Sequence, residues 1–303
     1  MRVTFLGTAA ARPTVGRNVT SILVQREGDV MMFDCGEGTQ RQMMRYGTGF
    51  AFSDIFFTHL HADHFLGVIG LLRTLGLQAR EEPMDLWTPR GTEPLLKQAV
   101  ELGVERVPFE VRINGVEAGE KVERDGYDIV PFRVSHGGKA FGWAIVEHER
   151  LGRFNAALAR EMGIPEGPLW GKLHHGQAVE LDGRTITAAE VVGDARPGRR
   201  LVISGDTRPC QATRDIAANA DLLVHEATFA QDEAERAAHT GHSTAREAAE
   251  VAASAGVLRL VLTHFSPRYA DDPRYLEKEA RAVFPETVAA YDGLTVEVPF
   301  RAE

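Results

Sequence analysis

The segment Thr58-His59-Leu60-His61-Ala62-Asp63-His64 places four metal-binding side chains within six consecutive positions. It follows an apolar run at residues 54–58, so a strand would carry the group into a tight turn that opens a helix. Zinc accepts neutral imidazoles and carboxylates, and a catalytic site leaves a position open for water. His59 and His61, one residue apart, can converge on one ion, whereas the adjacent Asp63 and His64 naturally face a second. The ordinary alternative is a polar surface loop, but four such side chains rarely fall at this spacing by that route.

Three further residues would complete a two-ion site. His136 follows the apolar run at 129–134, within Ser135-His136-Gly137-Gly138. Asp206 follows the run at 201–204, and His264 follows the run at 258–263. Each would stand at a strand end, where loops present functional groups from a rigid scaffold. Singly, each could be an ordinary strand-capping residue; with the cluster they form a set. Because the set spans residues 59–264, one large domain over 1–303 must bring it together.

The remaining pattern is compatible with that demand. Further strand-like runs fall at 3–6, 21–24, 30–33, 141–146, 222–225 and 294–298. Helical patterns fall at 39–45, 65–75, 92–102, 214–218, 244–255 and 273–283, with Ser243 expected to cap the alanine-rich one. Strands first dominate and then alternate with helices, which predicts a layered α/β (α+β) fold, sheets packed together under helices. Residues 150–176 interrupt the strand pattern with a small amphipathic helix and then Gly163-Ile164-Pro165-Glu166-Gly167-Pro168, predicting an arm-like insertion.

Composition narrows the setting. Hydrophobic residues make up 44% and charged residues 25% of the 303, as in a globular protein with a full core. A net charge of −9 argues against a general nucleic-acid binder, although not against a local basic patch. Two distant cysteines, Cys35 and Cys210, predict no disulfide framework and a reduced, cytoplasmic setting, and no apolar stretch approaches the roughly 20 residues of a membrane span. Both are expected to be small buried residues rather than ligands.

The motif His-x-His-x-Asp-His at 59–64, followed by His136, Asp206 and His264, resembles the metallo-β-lactamase superfamily. Finer motifs resemble the ribonuclease Z family within it: Phe5-Leu6-Gly7-Thr8, Phe33-Asp34-Cys35-Gly36-Glu37-Gly38-Thr39-Gln40, His225-Glu226-Ala227-Thr228, His242-Ser243-Thr244 and Phe265-Ser266-Pro267-Arg268-Tyr269. That family's loop usually reads Pro-x-Lys-x-Arg-Asn, whereas here it is Pro13-Thr14-Val15-Gly16-Arg17-Asn18. Val15 has no ammonium to offer a phosphate, which leaves open how precursors carrying CCA are handled.

The resemblance implies an αβ/βα sandwich with two zinc ions per subunit, manganese being a possible substitute. His59, His61 and His136 would hold one ion and Asp63, His64 and His264 the other, with Asp206 bridging. The implied reaction is endonucleolytic hydrolysis of precursor tRNA after the discriminator base, leaving a 3′-hydroxyl on the tRNA and a 5′-phosphate on the trailer. Asp63 would take the proton of the attacking water. Glu226 and His242 form a candidate acid pair for the leaving oxygen, or else support the metal ligands. Arg268 is the candidate phosphate contact, since its fork suits phosphate oxygens, with Arg17 and Asn18 near the substrate. The insertion with Gly167 and Pro168 would grip the tRNA body, and a homodimer is implied. A small-molecule phosphodiesterase, arylsulfatase or lactonase on the same scaffold is the alternative.

Overall fold

Alternating apolar residues build two seven-stranded mixed sheets in the computed structural model, which describes residues 1–269 and 272–301. In the first sheet the strands lie in the order Thr295–Glu297, Arg2–Gly7, Ser21–Arg26, Asp29–Phe33, Asp54–Phe56, Met84–Pro89 and Val111–Val116. The first four pair antiparallel and the last three continue in parallel. The second sheet runs Thr287–Ala289, Leu260–Thr263, Leu222–Glu226, Arg200–Ile203, Phe141–Glu147, Tyr127–Arg133 and Val122–Arg124. Its first four strands are parallel, so their carboxyl ends point the same way.

Period-two alternation sorts the strand side chains. Leu222 and Val224 join Phe5, Phe33, Phe56, Tyr127 and Trp143 in the core between the sheets, while Leu223 faces the helices with Val202 and Leu262. Phe56 stacks on Phe33 at 5.2 Å and meets Trp143 edge-on at 5.1 Å. The Trp143 indole N–H donates to the Phe57 carbonyl at 3.1 Å, which ties one sheet to the other. The outer faces are covered by helices, as in an α/β sandwich.

Two close approaches shape the segment around the cluster. The helix Ala62–Phe65 begins inside the motif with His61 at its N-cap, and a second helix, Gly67–Leu77, follows at once. The sequence predicts one helix over 65–75; the break brings Asp63 and His64 into the first helical turn. A Cβ on Gly67 would lie 1.9 Å from the Gly36 carbonyl oxygen, so only glycine lets this helix meet the Cys35–Gly36 backbone. The helix Ala245–Ala255 packs its alanines against the second sheet. Its cap is Thr244, not the expected Ser243: Thr244 Oγ1 accepts from Glu247 N at 3.1 Å, and Glu247 Oε2 accepts in return from Thr244 N at 2.9 Å. The Ser243 hydroxyl instead donates to the Thr207 carbonyl.

The chain separates into two compact units, Met1–Val146 with Arg199–Glu303, and Glu147–Gly198. The second unit is longer than the expected 150–176 insertion because a hairpin, Val179–Leu181 with Arg184–Ile186, completes it. Ala159, Ile164, Leu173, Val179, Ile186 and Val191 form its own core. Asn155 caps the helix Ala156–Glu161, accepting from Leu158 N at 3.0 Å. Gly167 precedes the helix Pro168–His174, with proline at the first turn where its missing N–H costs nothing. Among the described residues, no helix is long and apolar enough to cross a membrane.

Candidate metal centre

The carboxyl ends of several strands supply the site. His264 directly follows Leu260–Thr263 and adopts φ 60°, a left-handed conformation that a non-glycine residue rarely holds. Asp34, after Asp29–Phe33, does the same at φ 57°. The seven sequence-predicted ligands converge in two adjacent groups. His59, His61, His136 and Asp206 form one, with ligand atoms within 4.8 Å of one another; Asp63, His64 and His264 form the other. His242 joins Asp206 and His264 in a third arrangement.

The orientation of each imidazole is fixed from behind. Thr58 Oγ1 lies 3.0 Å from His59 Nδ1, and Asp34 Oδ2 lies 2.7 Å from His64 Nδ1. The Gly241 carbonyl is 2.9 Å from His136 Nδ1, and Thr228 Oγ1 is 2.9 Å from His264 Nδ1. Four rings are thereby anchored through Nδ1, which leaves Nε2 for the centre. His61 is reversed: its Nδ1 faces inward, 2.9 Å from His59 Nε2 and 3.3 Å from His136 Nε2. Metal-ligating histidines are ordinarily held in this way by a partner on the far nitrogen.

Asp206 sits between the groups. Its Oδ2 is 3.3 Å from His64 Nε2 and 3.7 Å from His59 Nε2. Its Oδ1 is buried and 3.3 Å from His264 Nε2, without the geometry of a hydrogen bond to any described residue. A buried carboxylate oxygen left in this state, facing inward-turned imidazole nitrogens, suits a divalent cation. The donor set therefore fits metal.

The electrostatics follow from burial and pairing. Burial drives the His59 pKa well below its usual value. His64 is driven well above, because the carboxylates of Asp206 and Asp34 outweigh its burial. Burial opposes ionisation of Asp206, yet the surrounding histidines hold its pKa well below the usual range. Asp63 is likewise lowered, burial being outweighed by its hydrogen bond to His264 and the charges of His64 and His264. Asp63 Oδ2 accepts from Ala11 N at 2.6 Å, whereas Oδ1 takes no hydrogen bond among the described residues.

Glu226 and His242 come together as a pair. Glu226 Oε1 accepts from His242 Nδ1 at 2.9 Å and from Thr207 N at 2.7 Å. Its Oε2 accepts from the Thr228 hydroxyl at 2.7 Å and from Ser243 N at 3.1 Å. Burial disfavours the imidazolium of His242, but Glu226 outweighs it and raises the pKa to about 9.

The remaining predicted residues lie elsewhere. Arg17 is buried, donating to Thr8 Oγ1 at 2.7 Å and to the Ala290 carbonyl at 2.9 Å, with its guanidinium 5.2 Å from the Phe265 ring. It braces the loop from inside, as does Asn18, whose N–H donates to Asp292 at 2.6 Å. Val15 is fully exposed at the loop tip. Arg268 is paired with Glu233 and packs over Phe229. Gly167 and Pro168 belong to the unit Glu147–Gly198. Cys35 is buried and free, its thiol pushed up to about 12 by burial, and Cys210 is free and partly exposed.

Sequence reasoning overlooked Asp34, Thr228 and the Gly241 carbonyl as orienting groups. Asp34 had a usable signal, an acidic residue after a strand and next to Cys35 and Gly36; a backbone carbonyl has none.

Comparison with known proteins agrees with this geometry. The pattern of the metallo-β-lactamase superfamily matches residues 14–264. Ribonuclease Z of Gemmatimonas aurantiaca is 59% identical over 99% of this chain and 97% of its own length. Ribonuclease Z of Myxococcus xanthus is 55% identical over 99% of both. The crystal structure of the short form of human tRNase Z superposes with a TM-score of 0.70 at 27% identity, covering 99% of this chain and 100% of its own. On the full-length identities and the shared superfamily pattern, the chain belongs to the ribonuclease Z family of the metallo-β-lactamase superfamily.

Proposed function

We propose that this protein is a zinc-dependent endoribonuclease. It hydrolyses the phosphodiester 3′ of the discriminator base of precursor tRNA, leaving a 3′-hydroxyl tRNA and a 5′-phosphate trailer. The observation that carries this reading is the inward convergence of five imidazoles and two carboxylates, four of the rings anchored from behind. The names and full-length similarity of the relatives direct that site to RNA.

His59, His61 and His136 would hold one ion and Asp63, His64 and His264 the second, with Asp206 shared. When bound, the pair supplies charge neutralisation at the phosphate and a lowered pKa for water. Asp63 Oδ1, free of hydrogen bonds while Oδ2 is fixed by Ala11 N, receives the proton of the attacking water. His242 gives its proton to the departing 3′-oxygen of the discriminator ribose. Its Nδ1 is held by the Glu226 carboxylate, which favours the charged ring. Glu226 acts through His242: every hydrogen bond it accepts helps to keep it ionised, so it orients and charges the ring rather than donating a proton itself.

Outside the centre, Arg268 would contact phosphate after releasing Glu233, and Arg17 and Asn18 hold the loop that Val15 tops. The unit containing Gly167 and Pro168 would grip the tRNA body. A cytoplasmic homodimer, with one subunit's arm aiding its partner, completes the reading.

The test is single-nucleotide mapping of cleavage on 3′-extended precursor tRNA with zinc or manganese supplied, using matched precursors with and without CCA. A cut immediately after the discriminator base is expected. Failure to cut either precursor, while bis(p-nitrophenyl) phosphate is turned over rapidly, would leave a small-molecule phosphodiesterase as the better description.

A further inference from the structure

The segment Thr207–Arg208 ties together two loops that supply the centre. Arg208 N donates to the Ser135 carbonyl at 2.8 Å, and Ser135 N donates to Thr207 Oγ1 at 3.0 Å. These bonds hold the backbone that leads into His136. On the other side, the Ser243 hydroxyl donates to the Thr207 carbonyl at 2.5 Å. The Arg208 side chain reaches the same loop: Nη1 donates to the His242 carbonyl at 2.7 Å and to Glu247 Oε2 at 2.8 Å, and Nη2 donates to Glu247 Oε1 at 2.5 Å.

Glu247 is itself immobilised in the first turn of Ala245–Ala255 through its reciprocal bonds with Thr244. A guanidinium gripping both carboxylate oxygens has its plane fixed as well as its position. That fixed plane then sets the carbonyl of His242. The neighbouring carbonyl, that of Gly241, holds His136 Nδ1. One ion pair between a helix and a loop thus bears on a metal-ligating ring and on the partner of Glu226. Neither Arg208 nor Glu247 belongs to the ligand groups.

We infer that Arg208 and Glu247 form a positioning pair that sets the loop Gly241–His242, and through it both the His136 ring and the His242 imidazole. This rests on the reading of His242 as proton donor, and its metal arm does not depend on the RNA substrate. Lysine could reach His242 or Glu247 but could not reproduce the fork.

The experiment uses the full-length protein and the variants Arg208→Met, Arg208→Lys and Glu247→Gln. Zinc affinity is measured by chelator competition with zinc alone, and kcat and KM are measured on precursor tRNA at saturating zinc. Arg208→Met should weaken zinc binding about tenfold and lower kcat about tenfold or more, as loss of a group that orients ligands does, with KM within about twofold. Arg208→Lys should recover only part of each loss. Arg208→Met combined with His242→Ala should lose less than the product of the two single losses, because the part that acts through His242 is already gone.

Unchanged zinc affinity and kcat in a variant that melts as the parent does would overturn the inference, and so would multiplicative losses in the double variant. Should Arg208→Met not fold, Glu247→Gln, which can still cap Thr244, reads the same effects. A parent protein that binds zinc but leaves precursor tRNA intact would break the functional reading, while the zinc measurements would still decide this one.

Discussion

The unit Met1–Val146 with Arg199–Glu303 and the unit Glu147–Gly198 solve different physical problems. The first buries two extended aromatic and aliphatic clusters against its sheets and a third between them. Such close-packed surroundings can hold strained residues such as Asp34 and His264. The second rests on one small cluster. A segment of that size buries a smaller fraction of its surface, so its local stability is lower. The chemistry thus sits where rigidity is available, and the small unit suits a contact that tolerates adjustment.

Their connection sharpens the contrast. Strands Phe141–Glu147 and Arg200–Ile203 pair antiparallel with Val146 opposite Arg200. In chain order the smaller unit therefore stands where a hairpin turn would join the two strands. Its charge is uneven along the sequence: residues 150–176 hold Arg150, Arg153, Arg160 and Lys172 with two acidic residues, Glu161 and Glu166, whereas residues 177–198 hold Arg184 and Arg196 with Glu180, Asp182, Glu190 and Asp194. Arg160 is already paired with Glu166 at 2.7 Å. Backbone contact with RNA would fall to the first stretch, with a modest salt dependence.

The largest effect should come from Asp206→Asn in the rigid unit. Turnover of precursor tRNA and of bis(p-nitrophenyl) phosphate should both fall by more than about 100-fold, beyond what removal of an orienting group costs; metal content by mass spectrometry checks the cause. Next, replacing Glu147–Gly198 by an Asn-Gly turn should reduce kcat/KM for precursor tRNA by about 100-fold, as loss of a linked second binding site does. Turnover of the small phosphodiester should stay at the parent level. Equal loss on both substrates would erase the proposed division of labour. The smallest change is Asp34→Asn, which swaps an ionic anchor of His64 for an amide; about 10–100-fold weaker metal binding is expected in chelator competition. An unaffected affinity would mean that packing alone orients the ring.

The His59–His64 cluster was legible because its ligands are close in sequence and of a kind that rarely gathers without a metal. His136, Asp206 and His264 were legible as strand ends. The strands Met84–Pro89 and Val111–Val116 escaped the periodicity reading. The first carries Asp85 between apolar residues, and in the second only the final valine is fully buried, with Arg112 exposed and Asn114 and Gly115 breaking the apolar pattern. The Ser243 cap was displaced because Thr244 stands three residues before Glu247, which completes a reciprocal pair that serine one position earlier cannot make. The extent of the inserted unit was understated for a related reason: its closing hairpin becomes apparent only when Val179 and Ile186 meet in one core.

The sequence by itself determined which metal-binding atoms are available and that a loop entering a helix would present four of them at once. Covalent spacing and side-chain chemistry are sufficient for that. For His64, His136 and His264 only the tertiary structure decided which nitrogen faces inward, because their partners are Asp34, the Gly241 carbonyl and Thr228, each remote in sequence from the ring it holds. It also brought Glu226 within hydrogen-bonding distance of His242 and surrounded it with donors. A carboxylate's role depends on how many donors surround it, and those donors reach Glu226 from three separate segments of chain.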